Sequence, residues 1–505
     1  MRQNELCKGL TYEDCELTIL RTAVDKSDKL KGKEKMQSPE LKKIITIVEN
    51  FLKVKGLICY GGTAINNILP VQDQFYDKNV EIPDYDFFST TPLEDAKELA
   101  DIYFKAGFEE VEAKAGVHYG TFKVFVNFIP VADITLLSTE LFKNLKRDAI
   151  RVAGILYSPP NYLRMAMYLE LSRPDGDTSR WEKVLKRITL LNKNYPLINK
   201  KCREVDFQRG MENTDNELEI YEIVKTSLID QGVVFFGGLA NTLYSQYMPK
   251  KLAVKLQKLP DFDVLSEDAN LCATIVKERL EEANYKKVSI VFHEKIGEVV
   301  SEHYEIKVGN DTLCFIYKPL ACHSYNEINV NGRKIKVATI DTMLSFYLAF
   351  LYTDRKYYDK ERILCMSQYL FIVQQKNRLA QKGLLRRFSL NCYGKQETLE
   401  SMRAEKTEKF MELKDKRNTD EYESWFLRYV PREQGKLKGR KAAIKRVKTA
   451  VEKTGKTINK TVRNVTEQVV KKVKKTAKNK NHYKTNKKKN GKHKTRKSKN
   501  FFGLF

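Results

Sequence analysis

Asp84 and Asp86 stand two residues apart in the run IPDYDFFS. Strand side chains alternate between faces, so the two acids would project together while Tyr85 points away. Like charges that close repel unless a cation lies between them, and the pair therefore predicts a divalent metal. Upstream, Gly61-Gly62 opens the run YGGTAINN, where glycine lets the backbone approach a ligand closely. A helix starting at Thr63 would aim its unpaired N–H groups at phosphate. A third acid, Asp133, sits in the middle of the apolar run IPVADITLL. A phosphate cradle beside three carboxylates suits metal-assisted nucleotidyl transfer.

The flanking sequence supplies elements to hold these residues. Up to about Gln37 the chain reads as a short helix and a loose linker. Ser38-Pro39-Glu40 predicts a helix start, followed by apolar residues at helical spacing through Leu52. Leu57–Tyr60 reads as a short strand leading into the glycine turn. Thr91-Pro92 predicts a helix running to about Ala106. Val111–Ala113, Tyr119–Phe128 and Ile129–Leu137 read as strands, and the span Thr139–Arg209 as mostly helical, with helices at Asn161–Ser172 and from Ser179.

The pattern then repeats. Gly237-Gly238 and Pro260-Asp261-Phe262-Asp263 track Gly61-Gly62 and Pro83-Asp84-Tyr85-Asp86, and Asn241 falls near Asn66. His303-Tyr304 is placed opposite His118-Tyr119, and a helix from about Asp341 opposite the one from Asn161. This predicts an internal duplication of two similar α/β units, each followed by helices. In the second copy, Cys314–Tyr325 supplies Cys322 and His323 but no acid. That copy therefore reads as a dead or structural counterpart, with Asp261 and Asp263 leaving residual metal or nucleotide binding open.

The formal charge of +26 is unevenly spread. Gly435–Asn500 holds 26 Lys/Arg and 2 Asp/Glu, whereas the rest holds 91 − 26 = 65 basic and 65 − 2 = 63 acidic residues. A nearly neutral body thus carries a cationic tail, for which nucleic acid is the natural partner and a membrane surface or an import signal the competitors. Within it, Ile444, Val447 and Val451 through Val473 recur at helical steps, Asn479–Asn500 is a low-complexity run predicted to be disordered, and Phe501–Phe505 (FFGLF) reads as a docking peptide of unknown partner. Nine scattered cysteines without C-x-x-C argue for a reducing compartment and against a disulfide framework. The N-terminus lacks an apolar signal core, and the longest apolar run, Met343–Tyr352, is too short to span a bilayer, so a soluble intracellular protein without a transmembrane segment is expected.

Plain structural readings compete at several positions. Arg180, Lys186 and Arg187 could contact a triphosphate but read better as a solvated helix face with Trp181 in the core. Asn66 and Asn67 read as a solvated or capped face, and His118 and His303 as strand residues. Arg386-Arg387-Phe388 fits base stacking and ordinary surface charge equally well.

At Gly61-Gly62, Asp84-x-Asp86 and Asp133 the sequence resembles the nucleotidyltransferase superfamily that includes DNA polymerase β. More closely, YGGTAINN and IPDYDFFS resemble the poly(A) polymerase catalytic subunits of poxviruses, the African swine fever group and giant viruses, over roughly Leu41–Phe426. The resemblance implies an α/β fold of two tandem polymerase-β-like units, each a mixed sheet flanked by helices. It makes Asp84, Asp86 and Asp133 the catalytic acids and the ligands of two Mg²⁺ or Mn²⁺ ions, with Gly61, Gly62 and Thr63 at the nucleotide. ATP and an RNA 3′ end are the implied substrates, a homodimer the implied assembly, and the host cytoplasm or the virion the implied location. The adenine preference comes from the resemblance alone, and the basic tail lies outside its pattern. The corresponding division is an N-terminal segment 1–40, a catalytic unit 41–138, a helical segment 139–215, a degenerate unit 216–340, a helical region 341–434 and a tail 435–505. The alternatives are another template-free transferase (uridylyl, CCA-adding or oligoadenylate-forming) and a catalytically idle RNA-binding scaffold.

Overall fold

The helix Pro39–Lys55 begins where Ser38 caps the Leu41 N–H and proline sets the first turn, and it stops at Gly56, whose φ of 63° is left-handed. Its stripe Leu41, Ile44, Val48, Phe51 and Leu52 is buried. Ahead of it, the segment expected as a short helix and linker is one 26-residue helix, Tyr12–Gln37. The computed structural model describes residues 6–77, 79–199, 202, 205, 207, 211, 216–248 and 259–431. The amphipathic run Ile444–Val473, the Lys/Asn-rich stretch and the terminal FFGLF lie outside the described residues.

The strands in chain order are β1 (Ile58–Cys59), β2 (Tyr85–Ser89), β3 (Val111–Ala115), β4 (Thr121–Val126), β5 (Ile129–Leu136), β6 (Ile150–Val152) and β7 (Ile155–Tyr157). They continue as β8 (Val234–Phe236), β9 (Phe262–Leu265), β10 (Val288–His293), β11 (His303–Val308) and β12 (Asp311–Tyr317). The last are β13 (His323–Val330), β14 (Arg333–Ala338), β15 (Cys392–Tyr393) and β16 (Arg428–Tyr429). They form two eight-stranded mixed sheets, ordered β16-β3-β4-β5-β2-β1-β7-β6 and β10-β11-β12-β9-β8-β14-β13-β15. Seven strands follow one order and one set of directions in both: β1 is antiparallel to β2 and parallel to β7, as β8 is to β9 and β14. The eighth strand joins opposite ends.

The register corrects the residue-by-residue alignment of the two halves. Asp86 pairs with Asp133 across β2 and β5, and the corresponding pair in the second sheet is Asp263 with Phe315. Lys123 faces Asp133, and Glu305 faces Phe315. The place of the third acid is thus taken by Phe315, ahead of the Cys322-His323 pair. His303 stands where Thr121 does, while His118 lies in the loop before β4 and is exposed. Two strands also interrupt the span read as helical: the hairpin β6–β7 extends the first sheet beside β1. Three-residue strands are too short to display alternation, and their turn, Ala153-Gly154 with both φ positive, lacks an Asn-Gly signal.

The apolar run Met343–Tyr352 became the most buried helix, Ile340–Phe350, packed between the helices Pro160–Leu171 and Lys360–Lys376. Every residue of it is buried. No helix among the described residues is long and apolar enough to cross a membrane. Near its N-terminus Asp341, fully buried, receives a bidentate pair from Arg387 at 2.8 Å. Arg387 is therefore committed to structure, and Phe388 lies against Trp181 with ring centroids 5.7 Å apart.

The cysteines overturn the expectation drawn from their spacing. Cys7–Cys15, Cys202–Cys365 and Cys322–Cys392 are disulfide-bonded, the last two across 163 and 70 residues. Folding, not local spacing, brings these partners together, and the ground for expecting a reducing compartment is removed. Cys59, Cys272 and Cys314 are buried thiols.

His323 is 1% exposed, and neither ring nitrogen has a hydrogen-bond partner among the described residues. Burial, with Arg173 nearby, lowers its pKa to about 3. Its stabilising share is complete above the unfolded value of 6.5 and is lost as pH falls toward 3, because only the unfolded chain takes up the proton. From pH 7 to pH 5 this costs about 2 kcal/mol. His323→Phe should remove that increment, read as the change in urea-unfolding free energy between the two pH values. An unaltered pH slope would mean the histidine is hydrated.

Candidate active site

β1 ends at Cys59, and the Tyr60 N–H bonds to the Asp86 carbonyl at 2.9 Å, holding the glycine turn against β2. Gly61 has φ 71°, and a Cβ there would lie 2.6 Å from Asp86 Oδ2. Only glycine allows both the conformation and the approach. The helix starts at Gly61, two residues earlier than expected, and runs to Ile68. Thr63 is buried in its first turn, and its hydroxyl donates to the Asp84 carbonyl at 2.6 Å. Thr63 therefore ties the glycine helix to the acidic strand. Asp84 immediately precedes β2 rather than lying within it.

Asp84, Asp86 and Asp133 meet in one cavity of about 690 Å³, which Gly61, Gly62 and Thr63 also line. That volume is ample for a nucleoside triphosphate. Burial, then Asp84 and Asp133, push the Asp86 carboxyl up to about 7. Burial and then Asp133 also raise Asp84, against the opposing pull of Lys123 and Lys183. The Lys123 ammonium is ion-paired with Asp133. Three crowded hard-oxygen donors, with the Asp84 and Asp86 carboxyls both held above their ordinary range, fit a divalent cation.

Another wall carries cations: Arg180 and Arg187, read from the sequence as a solvated face, and Lys183, which the sequence did not single out. Arg180, Lys183 and Arg187, on the helix Trp181–Asn194 and the turn before it, line the cavity. Lys186 does not line the cavity and is paired with Glu182. The signal lay in the 180–183–187 spacing, which puts three cations on one helical face. Arg187 bonds the Tyr76 hydroxyl and lies over Phe75 at 5.0 Å. Asn66, read as a solvated face, is buried and accepts the Phe75 and Tyr76 N–H groups at 2.8 and 2.9 Å, fixing the loop that orients Arg187. Asn67 donates to the Tyr157 hydroxyl. A third wall is apolar: Tyr162, Leu163, Ala166 and Met167 come from the helix Pro160–Leu171, beside Phe88 stacked on Tyr60 at 4.1 Å.

The second unit keeps the turn but closes it. Gly237 has φ 78°, and Cβ atoms at Gly237 and Gly238 would fall 2.2 and 2.3 Å from oxygens of Asp263 and Asp261. Both aspartates are almost wholly buried, at 6% and 9% exposure, whereas Asp86, the counterpart of Asp263, is half-buried. A space of about 30 Å³ beside Asp261, lined also by Ile220, Tyr221 and Val224, has room for a water.

The acids, the glycine turn and the strands between them all lie in one matched segment. Residues 46–177 match the poly(A) polymerase catalytic subunit family. A protein of Acanthamoeba polyphaga mimivirus, provisionally named poly(A) polymerase catalytic subunit, is 32% identical over 162 residues, 31% of this chain and 27% of that one. One of African swine fever virus with the same provisional name is 31% identical over 180 residues, 34% of this chain and 38% of that one. The chain thus spans about a third of the length of the curated relatives it matches. Over its whole fold it resembles the Megavirus polyadenylate synthase, with a TM-score of 0.71 at 19% identity, covering 86% of this chain and 90% of that one.

Proposed function

We propose that the chain is a poly(A) polymerase catalytic subunit that adds AMP from ATP to RNA 3′ ends, releasing pyrophosphate. The observation that carries this is the pairing of Asp86 with Asp133 across β2 and β5, inside a cavity that also holds Asp84 and the glycine turn. Two Mg²⁺ or Mn²⁺ ions held by Asp84, Asp86 and Asp133 would activate the 3′-hydroxyl and steady the leaving pyrophosphate. The backbone at Gly61 and Gly62 leaves room for the triphosphate. Arg180, Lys183 and Arg187 offset its charge, and Arg187 enters pre-oriented by Tyr76. The apolar wall of Tyr162, Leu163 and Met167 takes the base, and Tyr60, Thr121 and Thr135, linked through hydroxyls at 2.9 and 3.2 Å, lie beside Asp133. The adenine preference rests on the matched relatives.

In this reading the two sheets are tandem nucleotidyltransferase units, the first live and the second degenerate through Phe315 and its closed glycine turn. The matched relatives are viral, which would place the activity in the host cytoplasm or the virion, and a homodimer is part of the proposal.

Purified protein, a labelled RNA primer and each NTP in turn, with Mg²⁺ or Mn²⁺, tests the reading. ATP-specific ladders are the expected result. Ladders with another nucleotide would make it a different template-free transferase, and RNA that shifts in a gel without ever growing would make it a scaffold. The basic tail is proposed to grip RNA. Deleting 435–505 should weaken RNA binding and flatten its salt dependence; an unchanged slope of log affinity against log salt would assign the tail elsewhere.

A further inference from the structure

The loop between β3 and β4 forms part of the mouth of the catalytic cavity through Val117 and His118. It is held at both ends. The Gly116 N–H bonds to the Thr121 carbonyl at 2.6 Å, the Thr121 N–H to the His118 carbonyl, and the Lys406 ammonium to the Gly116 carbonyl. Gly120, with φ 75°, completes the turn. This fixed loop presents Tyr119 outward at 55% exposure, next to Val117 at 45%. Exposed aromatic surface on a rigid support marks a binding site more than a packing remnant.

The half-buried ring beside Tyr119 comes from far away in sequence. Trp425 lies against it with centroids 4.5 Å apart. The short helix bearing Trp425 (Asp420–Phe426) is capped by Thr419, and Leu427 and β16 tie its far end to β3. The preceding helix, Leu399–Leu413, brings Leu399 to the same cavity mouth and carries Arg403, exposed one turn on. Two aromatic rings held in place beside the cavity lining, with a cation one helical turn after Leu399, have the composition of a single-strand platform: bases stack on rings, and the cation meets the backbone. Because both rings are already positioned, little ordering is needed when a strand arrives.

We propose that Tyr119 and Trp425 form a stacking platform for the last bases of the RNA strand, leading its 3′ end into the catalytic cavity. This rests on the polymerase reading for what happens inside the cavity, but the platform itself is a binding surface and is tested without ATP. The chain has two tryptophans, so in a Trp181→Phe background Trp425 is the sole tryptophan reporter.

Titrating this full-length protein with single-stranded oligoadenylate should quench Trp425 fluorescence saturably, and Tyr119→Ala should weaken that binding about tenfold. In primer extension Tyr119→Ala should raise the KM for primer by a similar factor and leave the KM for ATP within about twofold, with Tyr119→Phe restoring primer KM. Absence of quenching, or an unchanged primer KM in Tyr119→Ala, overturns the platform. Quenching and its loss in Tyr119→Ala, without extension by any nucleotide, would keep the platform and remove the polymerase reading; vigorous extension without quenching would do the reverse.

Discussion

Replacing Asp86 with asparagine should lower AMP addition by on the order of 10⁴-fold or more, since the carboxylate acts in a unit with Asp84 and Asp133. The same change should make the metal-free protein more stable. The Asp86 carboxyl is held up to about 7, above its ordinary 3.8, so the folded chain binds that proton more tightly than the unfolded one. Its effect on stability is least harmful below 3.8 and worsens as pH rises from there to about 7. Above that the wild type bears the whole cost, about 2–4 kcal/mol, which asparagine avoids. Thermal melts in chelator at pH 5.5 and 8 measure it: the variant should gain most at pH 8. Added Mn²⁺ should stabilise the wild type and do less for the variant. Wild-type extension by Asp86→Asn would move the chemistry out of this cavity.

Arg387→Ala should cost about 3–5 kcal/mol, the largest stability loss expected from one side chain here. Asp341 is fully buried and its bidentate partner would be gone, leaving among the described residues the long bond from Gln374 at 3.3 Å. The penalty comes from stranding a charge, not from losing a valuable bond. Arg387→Met with Asp341→Leu should therefore recover most of the stability that Arg387→Ala loses. Urea midpoints of the three proteins decide this. An alanine variant within about 1 kcal/mol of wild type would mean that Asp341 is hydrated. Because the helix carrying Asp341 packs against Pro160–Leu171, extension should fall with stability in the single variant and return in the double.

These two cases divide what could be read from the chain. That the three acids would come together was legible because a glycine turn is local and strand segments such as YDFFS or IPVADITLL carry their own period, although Asp84 falls just before its strand. Arg387 was not, since nothing near 387 indicates that residue 341 is buried beneath it. The same limit applies to Phe315 and Glu305, which only register aligns with Asp133 and Lys123, and to cysteine partners 70 and 163 residues apart. Arg180 and Arg187 were half-read: helical spacing placed them on one face, but a sequence does not say whether that face meets water alone or also lines a cavity, and Lys183 was not singled out at all. The hairpin β6–β7 was too short for its pattern to appear at all.

One strand of two residues has an outsized effect on how this molecule must be made. Arg428 and Tyr429 form β16, the border strand that covers β3 in the first sheet, so β3 stays open while some three hundred later residues emerge from the ribosome. An unsatisfied sheet border invites pairing with neighbouring nascent chains. A fragment ending after the acids would carry that border permanently, together with a bare loop at Tyr119. Attempts to produce the first half by itself should therefore yield aggregates, and a minimal soluble product should have to reach Pro431.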